Sequence, residues 1–348
     1  MSRTLPAPQF WAGKRVFITG HTGFKGGWLA LWLSQMGVIL RGYALAPNTQ
    51  PDFFSTCNVA KVLHHETADI RNAATLTRAL RDFAPDIVFH LAAQPLIRAS
   101  YAQPMDIYTT NIIGTANVLE AVRQTPSVQV AIIVTSDKVY AESKSAHAEN
   151  APLGGHDPHS ASKACAELVA ASFPLPAEQK LATVRSGNVI GGGDWSVGRL
   201  LPDFFRAMAA GDFLTIRNPD FVRPWQYVLD PLCGYLLAAE YLWAGTAHRA
   251  SWNFGPPATS EMPVEKVIGK LCAVWGAGAF YTVETQPDAS PEISVVRVNA
   301  EKARRELNWQ PGTLDAALTA TVTWYRAFQA GEAMPAFTLS QIETYCQA

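Results

Sequence analysis

The chain has 348 residues, 48% apolar and 16% charged, with a formal net charge of −1. That balance excludes nucleic-acid binding by counterion release from a strongly basic surface, and it excludes a disordered chain. At about 150 residues per domain, the length predicts two domains around a sizeable core.

Residues 15–19 are a short apolar run ending in glycines, and 24–36 read as a helix. A strand at 38–45, a helix at 73–83 and a strand at 86–91 follow, then a helix at 107–124 and a buried strand at 130–135. An Ala-rich helix at 160–172 and a strand at 181–185 continue the alternation. Continuous apolar strands separated by helices predict βαβ units and a doubly wound α/β fold, its parallel sheet covered on both faces. After Gly187 the texture changes to Gly191-Gly192-Gly193, scattered prolines and clustered arginines, with helical stretches at 200–210, 230–242, 264–274 and 300–307. We expect residues 11–186 plus about 227–255 to form one domain, and 187–226 plus about 256–335 a smaller, interleaved substrate domain.

No apolar run approaches the ~20 residues of a membrane helix, and no hydrophobic stretch follows Arg3 as a secretory signal would need. Cys57, Cys165, Cys233, Cys272 and Cys346 are odd in number and form no CxxC pair, the pattern of reduced thiols in a cytoplasmic protein. His64-His65 has no further ligands at metal spacing, so it reads as surface helix or loop and no metal is expected.

Gly20-His21-Thr22-Gly23-Phe24-Lys25-Gly26 lies between the first strand and its helix. Glycines there allow a tight turn and let a pyrophosphate approach backbone N–H groups at the positive helix end, which predicts dinucleotide binding by Gly20, Thr22, Gly23, Phe24 and Lys25. The second strand ends without the acidic residue that favours NAD, and Arg41 could accommodate the extra phosphate of NADP or be a solvated strand-edge arginine. NAD is expected, with NADP open. Asp69 and Ile70 could flank the adenine, Leu91, Ala92 and Ala93 offer small side chains at a strand end, and Thr110 completes the cofactor set.

Several longer strings carry a family resemblance: His90-Leu91-Ala92-Ala93-Gln94-Pro95, Ser136-Asp137-Lys138, Gly187-Asn188-Val189-Ile190-Gly191-Gly192-Gly193-Asp194-Trp195, Arg223-Pro224-Trp225-Gln226 and Trp252-Asn253-Phe254-Gly255-Pro256. With the glycine loop, they make the chain resemble the extended short-chain dehydrogenase/reductase family, of Rossmann type, and within it the CDP-glucose 4,6-dehydratases. The resemblance implies bound NAD, a nucleotide-diphosphate sugar (a CDP-hexose foremost), and a homodimer or homotetramer. It implies C4 oxidation, loss of water across C5 and C6, and return of the hydride to C6. Ser136 matches the hydroxyl that bonds O4, Asp137 the acid at C6, and Lys138 the base position at C5, where related dehydratases carry glutamate. A basic Lys138 needs a depressed pKa.

In the family a tyrosine stands four residues before the helix lysine that holds the nicotinamide ribose. Lys163 is present, but His159 occupies the tyrosine position. A neutral imidazole is a competent base near neutral pH, and Lys163 would keep it neutral. It is shorter than phenol, so either water or Ser136 bridges to O4, or His159 merely fills the space and oxidation is impaired. The 140–155 segment is shorter than the family's, and Ser290-Pro291-Glu292 replaces a His-Glu pair. On the substrate side Asn188, Arg199, Arg217, Asn218 and Arg223 are candidate ligands, because arginine forks bind phosphates bidentately. Trp195 and Trp225 read equally as pocket walls or as structural tryptophans. Two rivals share these residues: another nucleotide-sugar reaction such as epimerisation or reduction, and a binding protein without turnover.

Overall fold

A computed structural model describes residues 3–143, 145–284 and 295–347. Its centre is a seven-stranded parallel sheet: β1 (Arg15–Thr19), β2 (Ile39–Ala44), β3 (His64–Thr67), β4 (Ile87–His90), β5 (Val130–Val134), β6 (Lys180–Ser186) and, after several short strands left unlabelled, β7 (Arg249–Phe254). The spatial order is β7-β6-β5-β4-β1-β2-β3. Residues of β4 and β5 are buried throughout, and their side chains alternate between faces. Val16, Ile18, Phe89 and Ile132 enter one core, while Phe17, Val88 and Ala131 enter the other, against Leu76, Leu80 and Val118. Burial on both faces explains the continuous apolar runs. Strand order reverses between β1 and β4, the crevice where ligands bind in open parallel sheets.

The expected alternation is present, with three differences. His64-His65 lies on β3, an edge strand whose polar sequence hides it, and not in a helix or loop. The helical path 104–123 contains a π-turn, Thr109–Ile113, between Pro104–Tyr108 and Gly114–Arg123. β7 and the helices Leu314–Gln329 and Met334–Gln347 add to the elements read from sequence.

Beyond β6 the chain forms three two-stranded ribbons: Val189–Ile190 with Gln226–Tyr227, Leu214–Ile216 with Tyr281–Val283, and Val222–Pro224 with Glu261–Pro263. The helices Leu200–Ala210, Leu229–Ala244 and Val264–Trp275 pack around them. An aromatic stack locks these parts to the sheet. Phe53 lies between Trp28 and Trp324, with ring centroids 5.5 and 6.3 Å away, and Trp28 Nε1 donates to Gly192 O at 3.0 Å. A Cβ on Gly192 would lie 2.0 Å from the Trp324 ring, so this glycine lets the indole pack against the backbone. Among the described residues no helix is long and apolar enough to cross a membrane.

Candidate active site

The glycine loop joins β1 to the helix Phe24–Gln35. Gly20 has φ +78°, and a Cβ there would lie 2.6 Å from Ala92 N; one on Gly26 would lie 2.1 Å from Gly20 O. These glycines let the turn close against the β4 end. Gly23 is the N-cap and offers no side chain to the first-turn N–H groups, which leaves them for an anion. The loop fits a dinucleotide pyrophosphate.

Around it, Thr22 Oγ1 donates to Leu45 O at 2.9 Å, and the N–H groups of Leu91 and Ala92 donate to Thr19 O and Oγ1. Leu91, Ala92, Ala93 and Thr110 are half-buried, and Ile70 is buried. Asp69 binds the Arg71 N–H and guanidinium, which hold its carboxyl below the usual range. Arg41 pairs with Glu66 at 2.5 Å, so its guanidinium is committed to β3. His21 Nε2 meets His65 Nδ1 at 2.7 Å, and burial, then His65, lowers His21 to about 3. Lys25 is half-buried, with Nζ donating to Tyr235 Oη at 3.3 Å and Ser186 Oγ at 3.5 Å. Burial first, then Arg199, lowers it to about 8, with Asp137 opposing.

Ser136, Asp137 and Lys138 follow β5 at the sheet's C-terminal edge. Ser136 Oγ donates to Asp137 Oδ1 at 3.0 Å and accepts from the Lys138 N–H at 3.2 Å, so its hydroxyl is directed at Asp137. Lys138 Nζ lies 3.5 Å from the same oxygen. Asp137 Oδ2 is buried without a partner, and its carboxylate sits against Gly187, where a Cβ would be 1.7 Å from it.

His159 and Lys163 share a face of the helix Pro158–Ser172, which Asp157 caps through the Ser160 N–H with Pro158 in the first turn. Lys163 Nζ donates to Val134 O at 3.2 Å. Burial first, then Lys25, lowers Lys163 to about 7 against the pull of Glu167. His159 is 6% exposed and its Nδ1 has no partner. Burial first, then Lys163, Lys138 and Arg199, lowers it to about 3, so the imidazole is neutral at pH 7.

A cleft of about 420 Å³ brings Lys138 and His159 together with Asn188, Arg199, Arg217, Asn218 and Arg223. Asn188 Oδ1 is buried without a partner. Arg199 pairs with Asp194 at 3.2 Å and acts electrostatically on both His159 and Lys25, which puts it at the His159 end of the cleft. Arg223 is 5% exposed beside the Phe221 ring, and Arg217 is exposed. Trp225 lines the cleft, whereas Trp195 packs on Trp324, Tyr325 and Phe328. Ser290-Pro291-Glu292 lies outside the described residues.

Sequence reasoning missed Asn111. Its Nδ2 donates to Gln94 O at 3.1 Å and Ser162 Oγ at 2.9 Å, and its Oδ1 accepts the Gln94 N–H at 2.8 Å. A buried amide in the π-turn thus joins the β4 end to the Lys163 helix. The available signal was one polar residue on an apolar helix face. Among the described residues, no cluster of three or more His, Cys, Asp or Glu could hold a metal ion.

Residues 16–255 match the family model "NAD dependent epimerase/dehydratase family". The chain is 42% identical over 353 residues to the CDP-glucose 4,6-dehydratase of Salmonella typhimurium, covering 98% of each chain. It is 29% identical over 285 residues to a dTDP-glucose 4,6-dehydratase of Neisseria meningitidis, covering 75% of this chain and 78% of that one. Among solved structures, the fold is similar to UDP-glucose-4-epimerase from Stenotrophomonas maltophila with bound NAD (TM-score 0.79, 22% identity, 91% of this chain and 99% of that one). It is also similar to the dTDP-glucose 4,6-dehydratase DesIV of Streptomyces venezuelae (TM-score 0.77, 24% identity, 91% and 98%).

Proposed function

The chain belongs to the NAD dependent epimerase/dehydratase family, and from that premise we propose that it is a nucleotide-sugar 4,6-dehydratase acting on CDP-glucose or a close relative. The observation that carries this reading is the cleft, which brings Lys138 and His159 together with Arg199, Arg217 and Arg223, with Asp137 Oδ1 3.5 Å from Lys138 Nζ. The 42% identity to a CDP-glucose 4,6-dehydratase supports CDP as the nucleotide. Residues 11–186 with about 227–255 hold NAD, and 187–226 with about 256–335 hold the sugar nucleotide. Arg41, committed to Glu66, favours NAD over NADP.

When bound, NAD supplies a reversible acceptor for the C4 hydride, which is returned to C6. The neutral His159 takes the O4 proton, directly or through water, while Lys163 holds the nicotinamide ribose. Oxidation at C4 acidifies C5–H, and Lys138 in its neutral form accepts that proton. Asp137 gives its proton to the departing C6 oxygen, which leaves as water. Lys138 returns its proton to C5 as C6 is reduced, and the proton from O4 restores Asp137 through solvent. The product is a 4-keto-6-deoxy sugar nucleotide. Ser136 must turn from Asp137 to reach O4.

Exposed Met105, Ile113 and Leu168 on the adjacent 104–123 and Pro158–Ser172 helices support a homo-oligomer. Incubation with NAD and CDP-, UDP- and dTDP-glucose, read by mass spectrometry beside the His159→Tyr variant, tests the assignment. Loss of water with CDP-glucose in the unaltered protein is expected. Turnover in His159→Tyr alone would show that histidine has abolished the first step.

A further inference from the structure

Glu167 lies one helical turn beyond Lys163, and no step above uses it. It is 3% exposed, and a carboxylate so buried is tolerated only when its charge and lone pairs are matched. Oε1 accepts from Thr135 Oγ1 and, at 2.9 Å, from Arg185 Nε. Oε2 accepts from Thr183 Oγ1 and from Arg185 Nη2, both at 2.7 Å. These four donors fill the acceptor capacity of a carboxylate.

The donors occupy informative places. Thr135 immediately precedes Ser136-Asp137-Lys138, and Arg185 stands two residues before Gly187, the seat of the Asp137 carboxylate. Arg185 Nη1 also donates to Tyr140 Oη at 2.7 Å and to Glu149 O at 2.9 Å. One carboxylate therefore ties the helix of His159 and Lys163 to the strand ends that carry the acid and its seat.

Its charge has a second role. Buried Lys163 is faced by Lys25 from the glycine loop, His90 from β4 and His159 from its own helix, none of them an anion. Glu167 is the carboxylate that acts on it. We infer that Glu167 is a positioning residue: its four hydrogen bonds register the helix of His159 and Lys163 against the Ser136–Lys138 turn, and one helical turn from Lys163 it supplies that lysine's counter-charge. The inference rests on the role given to Lys163 above.

Glu167→Gln keeps the size and removes the charge, whereas Thr183→Val removes one hydrogen bond and keeps the charge. If charged Lys163 holds the cofactor, activity falls as pH rises through its value of about 7. In Glu167→Gln this falling limb moves about one pH unit lower; in Thr183→Val, Tm falls and the limb stays. The same displacement is read without turnover. A lysine lowered from 10.5 to about 7 on folding adds stability as pH rises between those values, and in Glu167→Gln the rise in Tm begins about one unit earlier. Should unpaired Arg185 unfold that variant, Glu167→Gln/Arg185→Met removes both charges and reads the same profile. A folded variant with both the limb and the Tm profile unmoved overturns the inference. A displaced Tm profile in a protein that turns over nothing upholds it and counts against the dehydratase reading alone.

Discussion

His159 and Lys163 stand four residues apart on one helix face, with both charged forms penalised by burial. The histidine is held neutral because neighbouring cations add to that penalty, so it can accept a proton but accepts it weakly. In the proposed cycle, C4 oxidation is therefore the step most sensitive to this residue. Replacing His159 by Phe, which fills similar space without a base, should lower kcat about 100-fold or more, the usual contribution of a general base. Single-turnover absorbance of the reduced nicotinamide measures that step; an unchanged rate would remove His159 from the mechanism. In the proposed cycle Lys138 and Asp137 act later, and their 3.5 Å contact lets the charge of one respond to the other.

At the scale of elements, two turns make the site: the glycine loop after β1 and the Ser136–Lys138 turn after β5. The first tolerates no added carbon at Gly26, where a Cβ would meet Gly20 O. Gly26→Ala should weaken NAD binding by at least about tenfold, or ~1.4 kcal/mol, in titration calorimetry; unchanged affinity would place the pyrophosphate elsewhere. Both turns were legible in the sequence, because each follows a doubly buried strand that reads as an apolar run. β3 was not legible: His64-His65-Glu66-Thr67 is a polar edge strand, recognisable only by its pairing with β2. Asn111 and Glu167 escaped for a related reason. Each is one polar residue in a helix, and its meaning lies in partners 16 to 51 residues away. The arginines of the cleft were visible as a cluster, but only folding separated Arg199, near His159, from exposed Arg217. Trp195 and Trp225 were indistinguishable until packing put one in the aromatic core and the other on the cleft wall.

For the whole molecule, the stack of Trp28, Phe53 and Trp324 joins the cofactor loop to the substrate side, while the opposite helices leave Met105, Ile113 and Leu168 uncovered. A second copy covering that face predicts a dimer or tetramer by light scattering, and Leu168→Glu should shift it toward monomer; a parent already monomeric at micromolar concentration would exclude it. The proposed chemistry is one catalytic cycle completed in one cleft. Its most direct test is CDP-glucose deuterated at C4, turned over with NAD in ordinary water and followed by mass spectrometry and NMR. A dehydratase working through His159, Lys138 and Asp137 gives a 4-keto-6-deoxy product that has lost water and carries the deuterium at C6. Recovery of unchanged substrate, or an epimerised sugar with no water lost, would contradict the account.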